Sequence, residues 1–234
     1  NGSAGYAAVE IAAIPVNACP DGNCGLRFDG VDDRIEVPHD PSLSINGNGW
    51  TVEAWIYYDA LTGPVQDCMT AVRKGVSTSP TYEYWLHKNI GPADSLHWSS
   101  WSGWTVTSFG AAYAGGWLHY AGVADFSSGE SRTYINGSFH SSGVANTPAT
   151  NAEAMLIGID WDGGCAMNGV LDEIRISNTV RYFGSFSPAV TFTPDSNTMA
   201  LYHFDENSGN IAHDSSGNGN HGVITGAMWT IESP

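Results

Sequence analysis

A chain of 234 residues can bury a core unaided, and its 24 acidic against 8 basic residues give a formal charge of −16. That charge repels nucleic-acid phosphates and anionic membranes, and no stretch approaches the roughly 18 consecutive apolar residues a membrane helix needs. With 28 Gly, 11 Pro, 9 Trp and 10 Tyr, and almost no long run of helix formers, the composition favours short strands joined by tight turns, an all-β sandwich.

One strand is expected at Ala8 to Ile11, ahead of a cysteine turn. From Leu26 the signals become regular: residues 26–28, 34–37, 51–57 and 69–73 alternate or cluster apolar and β-branched side chains between Asp-Gly, Pro and Asn-Gly turns. The pattern continues through 82–87, 95–98, 104–107, 117–123 and 132–135, where Asn136-Gly137 marks a two-residue hairpin. Residues 155–159 and 169–176 follow. The best candidate for a helical turn is Thr179 to Phe183. Residues 184–198, rich in Ser, Pro, Thr and Asn, read as a linker, yet the segment beyond it is too small to bury an apolar face alone. Residues 199–234 should therefore complete the sandwich of one domain spanning 1–234.

Four cysteines form an even set. Cys19 and Cys24 enclose a short polar turn, while Cys68 and Cys165 stand far apart. The favoured pairing is Cys19 with Cys24 and Cys68 with Cys165, implying a secreted, oxidising setting; zinc is the rival, but no second close Cys or His pair is evident. The start at Asn1, with neither initiator Met nor basic n-region, is what a mature or excised fragment shows.

Residues 199–222 place a strand before a loop crowded with oxygen ligands. Asp205, Asp214, Asn218 and Asn220 offer side-chain oxygens, and the glycines among them let backbone carbonyls turn inward, which suits Ca2+. The alternative is that these Asx residues cap turns. Gly217-x-Gly219-x-x-Gly222 matches a dinucleotide fingerprint only formally, since nothing after it reads as helix.

The ordered motifs Leu-Arg-Phe-Asp-Gly-Val-Asp-Asp (26 to 33), Trp-Thr-Val-Glu-Ala-Trp-Ile (50 to 56), Gly-Gly-Trp-Leu-His-Tyr-Ala-Gly-Val (115 to 123), Thr-Tyr-Ile-Asn-Gly (133 to 137) and Gly-Val-Leu-Asp-Glu-Ile-Arg-Ile (169 to 176) resemble the laminin-G-like jelly-roll domains of the concanavalin A-like class. The resemblance implies a two-sheet antiparallel sandwich, a structural calcium at the terminal loop with Asp172 as a further ligand, and core places for Trp55 and Trp117. The Asp-Ser-Ser-Gly-Asn-Gly-Asn-His-Gly segment closes the chain where in many relatives it comes first. Such a circular permutation would make the strands at Val223 and Leu26 neighbours.

Catalytic constellations are poorly supported. The Glu-x-Asp-x-x-Glu signature of laminarinase-like hydrolases is missing, as are the Arg, Gln-x-His and Tyr-Lys sets of related lyases. Asp172 and Glu173, being adjacent, should point to opposite faces, and Glu53 and Glu83 read as isolated solvated or hydrogen-bonded strand positions. His87 and His97 flank a loop near Tyr82, Tyr84 and Lys88; they read as polar hairpin positions ahead of an acid and base pair. What remains is aromatic display. Trp98, Trp101 and Trp104, spaced by three, and Trp161 between Asp160 and Asp162 suit stacking on sugar rings, with the core as the competing place for the first three. The reading is a non-catalytic, calcium-stabilised module that binds a polysaccharide or glycan and forms part of a larger parent protein. An adhesion or spacer domain is the alternative, and a polysaccharide hydrolase or lyase a third.

Overall fold

The computed structural model describes residues 23–59, 68–75, 82–89, 95–100, 104–109 and 116–234. They form two antiparallel sheets packed face to face, the jelly-roll sandwich expected. In chain order the strands are β1 (Gly25–Asp29), β2 (Arg34–Val37), β3 (Gly49–Tyr58), β4 (Cys68–Gly75), β5 (Tyr82–Asn89), β6 (Ser95–Ser100), β7 (Trp104–Phe109) and β8 (Trp117–Asp125). There follow β9 (Glu130–Ile135), β10 (Ser138–Val144), β11 (Met155–Ile157), β12 (Asn168–Ser177), β13 (Thr198–Tyr202), β14 (Ile211–Ala212), β15 (Gly222–Thr225) and β16 (Met228–Thr230). Ala8 to Ile11 and Cys19 lie outside the described residues.

One sheet runs β10-β9-β8-β3-β12-β1-β16, with β13 also on β12; the other runs β14-β15-β2-β11-β4-β5-β6-β7. Period-two alternation sends Trp50, Val52, Ala54 and Ile56 of β3, and Tyr84 and Leu86 of β5, into the shared core. Each buried side chain of Val, Ile or Leu among them contributes about 1.5–3 kcal/mol. The C-terminal strands join both sheets: β13 pairs with β12, β15 with β2 and β16 with β1. The strand at Val223 therefore lies beside Arg34–Val37, and the neighbour of Leu26 is Trp229, not Val223 as the permuted order suggested.

Three further expectations change. The only helical turn among the described residues is a 3-10 turn at Pro41–Leu43, capped by the Asp40 carboxylate; residues 179–183 are irregular. The supposed linker is a strap lying on the outer face of the first sheet. Phe186 stacks on Tyr182 at 3.5 Å and 3°, meets Tyr134 and His119 edge-on, and closes a small apolar cluster with Ala121 and Val123. Trp55 donates its indole N–H to Ala189 O of that strap at 2.9 Å, so Trp55 and Trp117 sit half-buried outside the main core that Trp50 occupies.

β12 carries the third change. Its core-facing residues run Leu171, Ile174, Ile176, because a bulge between Asp172 and Arg175 inserts one residue against β3, with Glu173 at φ +49°. Both Asp172 and Glu173 are thereby turned from the apolar core, and the two acids share one side. The bulge sits between the start of β1, paired to Leu171 through Leu26, and the end of β13, paired to Ile174 through Tyr202.

Candidate functional site

The outward face of the second sheet gathers its polar and aromatic residues into cross-strand rows. Pairing aligns Val223, Glu36, Leu156, Arg73, Trp85 and Ser99 in one row, and Thr70, His87 and His97 in the next. The Arg73 guanidinium lies 4.5 Å from the Trp85 ring and 4.7 Å from Tyr82, and forms an ion pair with Asp160. Trp85 stacks on His87 at 3.7 Å and 19°, and its indole donates to Thr70 Oγ1 at 3.0 Å. Ser95 Oγ and Asn89 Nδ2 hold His97 Nε2 at 2.8 and 3.2 Å.

Electrostatics follow from burial. Burial lowers His87 well below the usual imidazole value, helped by His97 and Arg73, and burial also lowers His97. The Asp160 carboxyl is raised by burial against the pull of Arg73. Neutral imidazoles on an indole, flanked by one guanidinium whose charge is matched, make an amphipathic shelf.

Trp161 stands at the margin of this face, 39% exposed, over a groove of about 290 Å³ with Asp32, Arg34, Glu36, Leu156 and Asp160. Its loop is tightly held. Asp160 Oδ1 accepts from Trp161 N at 2.6 Å, Asp160 N donates to Gly164 O at 2.8 Å, and Gly163 takes φ +80°. The disulfide between Cys68 and Cys165 then fastens the loop to the start of β4, where Thr70 N donates to Cys165 O at 2.8 Å. Cys24 is also in a disulfide.

The other predicted tryptophans separate. Trp98 is fully buried in the core, where Gly122 makes room: a Cβ there would lie 2.3 Å from the indole, so Trp98 cannot stack on a sugar. Trp101 lies outside the described residues; Trp104 begins β7, opposite Ser100. The outward rows instead hold Trp85 and His97, half-buried, and Arg73 and His87, buried. Alternation in β5 and β6 carried that signal, since His87 and His97 occupy the non-core parity of strands whose core residues are Leu86, Leu96 and Trp98.

The isolated glutamates are both buried and bonded. Glu53 accepts from Arg175 Nε at 2.8 Å and the Tyr182 hydroxyl at 2.7 Å, and lies 3.0 Å from His119 Nε2. Glu83 takes the amides of Ile45 and Asn151 at 2.8 and 3.0 Å, beside Lys74 at 3.5 Å.

The predicted metal ligands form two groups. Asp214 uses both oxygens on hydrogen-bond donors: Leu201 N at 2.9 Å, Ser216 N at 2.8 Å, Ser216 Oγ at 2.7 Å and Asn220 N at 3.0 Å. Asn218 and Asn220 aim their amide nitrogens at Met199 O, at 3.0 and 2.8 Å, and Asn220 also reaches Ser42 Oγ. These three make a polar brace between the terminal loop, β13 and the Pro41–Leu43 turn. Asp172 and Asp205 belong to the junction at the β12 bulge. Asp172 is fully buried, its Oδ1 accepts from Glu173 N at 2.7 Å, and its Oδ2 has no hydrogen-bond partner. Burial, then the charges of Glu173 and Asp205, push its carboxyl up to about 9. Asp205 Oδ1 accepts from Cys24 N at 2.9 Å, and in the same turn Glu206 Oε2 and Asn207 Oδ1 are buried without partners. A third acidic group, Asp29, Asp32 and Asp33, holds its own turn, Asp33 Oδ2 accepting from Asp29 N and Asp29 Oδ1 from Val31 N.

The family model for the concanavalin A-like lectin/glucanases superfamily matches residues 29–182. No curated protein matches in sequence. Among solved structures, a Bacteroides ovatus protein provisionally described as carbohydrate binding is 18% identical with a TM-score of 0.72, over 91% of this chain and 61% of that one, so the chain spans less than two thirds of it. The CBM40 of Ruminococcus gnavus IT-sialidase, bound to α2,3-sialyllactose, is 10% identical with a TM-score of 0.51, over 68% of this chain and 91% of that one. Mouse laminin α1 domains LG4-5 are 11% identical with a TM-score of 0.50, over 74% and 47%. At such identities the likeness is one of fold.

Proposed function

Because the chain belongs to the concanavalin A-like lectin/glucanases superfamily, we propose that it is a non-catalytic carbohydrate-binding module whose glycan lies on the outward face of the second sheet. One observation carries this reading: the Trp161 ring, 39% exposed, borders a polar groove lined by Asp32, Arg34, Glu36 and Leu156. Indole faces pack on sugar C–H faces while Asp32, Glu36 and Arg34 offer hydrogen bonds to hydroxyls. The carbohydrate descriptions of two relatives agree with it. Affinity electrophoresis in neutral polysaccharides tests it: retardation that falls in Trp161→Ala supports binding at this face. Retardation by none of them, with the variant unchanged, favours the adhesion or spacer alternative, and release of reducing ends favours an enzyme.

Calcium belongs to the same proposal, at the junction and not in the brace. Asp172 and Asp205, with oxygens of the turn through Glu206 and Asn207, would hold a hard cation, which supplies the charge that the buried Asp172 oxygen lacks. Its function there is structural. The disulfide between Cys68 and Cys165 fits secretion, and attachment to a larger polysaccharide-degrading or cell-surface protein would supply the setting in which such a module acts.

A further inference from the structure

On the first sheet a second groove, of about 360 Å³, lies between the start of β3, the β8 to β9 turn and the residues that lead from β12 into the strap, lined by Asn48, Asp125, Ser127, Asn178, Thr179 and Phe183. Phe183 is 75% exposed, more than any other large apolar side chain described. A single exposed ring is ordinary on a protein surface. The backbone that carries this one is held in place by its neighbours. Thr51 Oγ1 donates to Thr179 O at 2.7 Å and accepts from Arg181 N at 3.2 Å, Arg181 grips Asp195 through two hydrogen bonds, and Tyr182 is fixed on Glu53. Gly49 lets the strap approach, since a Cβ there would fall 2.5 Å from Val180 Cγ2.

The groove also carries hydrogen-bonding capacity that the protein leaves unused. Asn178 Oδ1 is buried and accepts no hydrogen bond, although buried acceptors are nearly always satisfied. Asp125 presents a carboxylate. Burial would raise it, but the Ser128 hydroxyl and amide, the Ser127 amide and the Arg132 charge hold it below the ordinary value. An exposed aromatic face beside an ionised acceptor and an unsatisfied amide oxygen is complementary to a ring that has C–H bonds on one face and hydroxyl donors at its edge. An anionic sugar would meet Asp125 with like charge.

We infer that this groove is a second binding site, for one neutral hexopyranose residue, on the opposite sheet from the Trp161 face. The chain then engages two sugar residues at once, and its retention by a polymer exceeds that of either site. The inference rests on its own residues and stands whether or not the Trp161 face binds.

Amide chemical-shift mapping of the whole chain, titrated with methyl β-D-galactopyranoside and with methyl β-D-glucopyranoside, tests it. Saturable shifts at Ser127, Asn178 and Phe183 are expected with at least one glycoside, weakened roughly tenfold in Phe183→Ala and unchanged in Trp161→Ala. Asn178→Leu, which keeps the side chain's size but removes the acceptor oxygen, serves as a second variant whose distant amide shifts report an intact fold and whose binding should weaken; native-strength shifts in it also overturn the assignment. Absence of shifts at these residues with both glycosides, shifts that do not saturate, or shifts that survive intact in Phe183→Ala overturn the assignment. Loss of shifts at Trp161 alone bears only on the other face.

Discussion

His87 and His97 stand opposite each other on β5 and β6 with ring centroids 4.9 Å apart and planes 17° from parallel. Stacked imidazoles at this separation cannot both carry charge cheaply, and burial, His97 and Arg73 all lower His87 well below 6.5. The unfolded chain takes up this proton near 6.5 while the folded chain refuses it. Stability contributed by the neutral stack is therefore complete above about pH 6.5 and lost as pH falls from there toward the folded value. Urea unfolding at a series of pH values should show this loss in the native chain and its reduction in His87→Phe, which keeps the stack without the proton. Equal pH dependence in both would remove His87 from the account.

Glu53 gives a second acid-sensitive element with a different window. Burial would raise its carboxyl, but the His119 contact and the Arg175 charge, with the Tyr182 hydroxyl, hold it below 4.5. The stabilisation is present above about pH 4.5 and lost as pH falls through the depressed folded value. Glu53→Gln leaves the Arg175 charge buried without its partner and should cost about 3–5 kcal/mol in urea unfolding. A paired Glu53→Leu and Arg175→Met replacement should cost much less. Because Tyr182 and Phe186 rest on this group, amide exchange in the strap should rise first in Glu53→Gln; unchanged strap protection would show that the strap is held by its rings alone.

Much of the sandwich was legible in the sequence because alternation fixes which face of each strand is apolar, and Val52, Ala54 and Ile56 keep that rhythm into the core. It was illegible wherever period two breaks or a second layer covers the sheet. The bulge at Glu173 turned two adjacent acids to one side, and no residue there announces it. Trp55 has a core residue's composition but lies under the strap, whose Ser, Pro and Thr content resembles a linker although Tyr182, Phe186 and Phe192 pack it down. The tryptophan triplet misled for a related reason: spacing by three cannot say which indole shares the parity of Leu96, and Trp98 does. Oxygen-rich loops are equally ambiguous, since Asp214, with both oxygens bonded, and Asp172, with Oδ2 left without a partner, carry the same letter in the chain.

The disulfide between Cys68 and Cys165 joins residues 97 apart. Closing a loop of that length removes unfolded-chain entropy worth about 4–5 kcal/mol in the loop-closure model, with measured values nearer 2–4 kcal/mol. The double variant Cys68→Ala and Cys165→Ala should fall in stability by that order. It should also weaken glycan retention more than the stability loss implies, because the bridge holds the Trp161 loop against β4. Retention equal to the native chain at a temperature where both are folded would show the loop is kept by Asp160 and Gly164 without the bridge.

Asp172 and Asp214 should respond oppositely to calcium. Asp214 accepts four hydrogen bonds from Leu201, Ser216 and Asn220, so Asp214→Ala orphans several buried donors and lowers stability by about 2–4 kcal/mol with or without the ion. Its melting temperature should still rise on adding calcium. Asp172→Asn keeps the shape but removes the carboxylate that burial and its acidic neighbours make costly to ionise, so the calcium-free protein should be as stable as the native one or more so. Its calcium response should vanish, whereas the native chain gains stability as RT ln(1 + [Ca2+]/Kd). Thermal melts of the three proteins in chelator and in calcium separate brace from cation site. A calcium shift retained in Asp172→Asn and lost in Asp214→Ala would move the ion into the terminal loop.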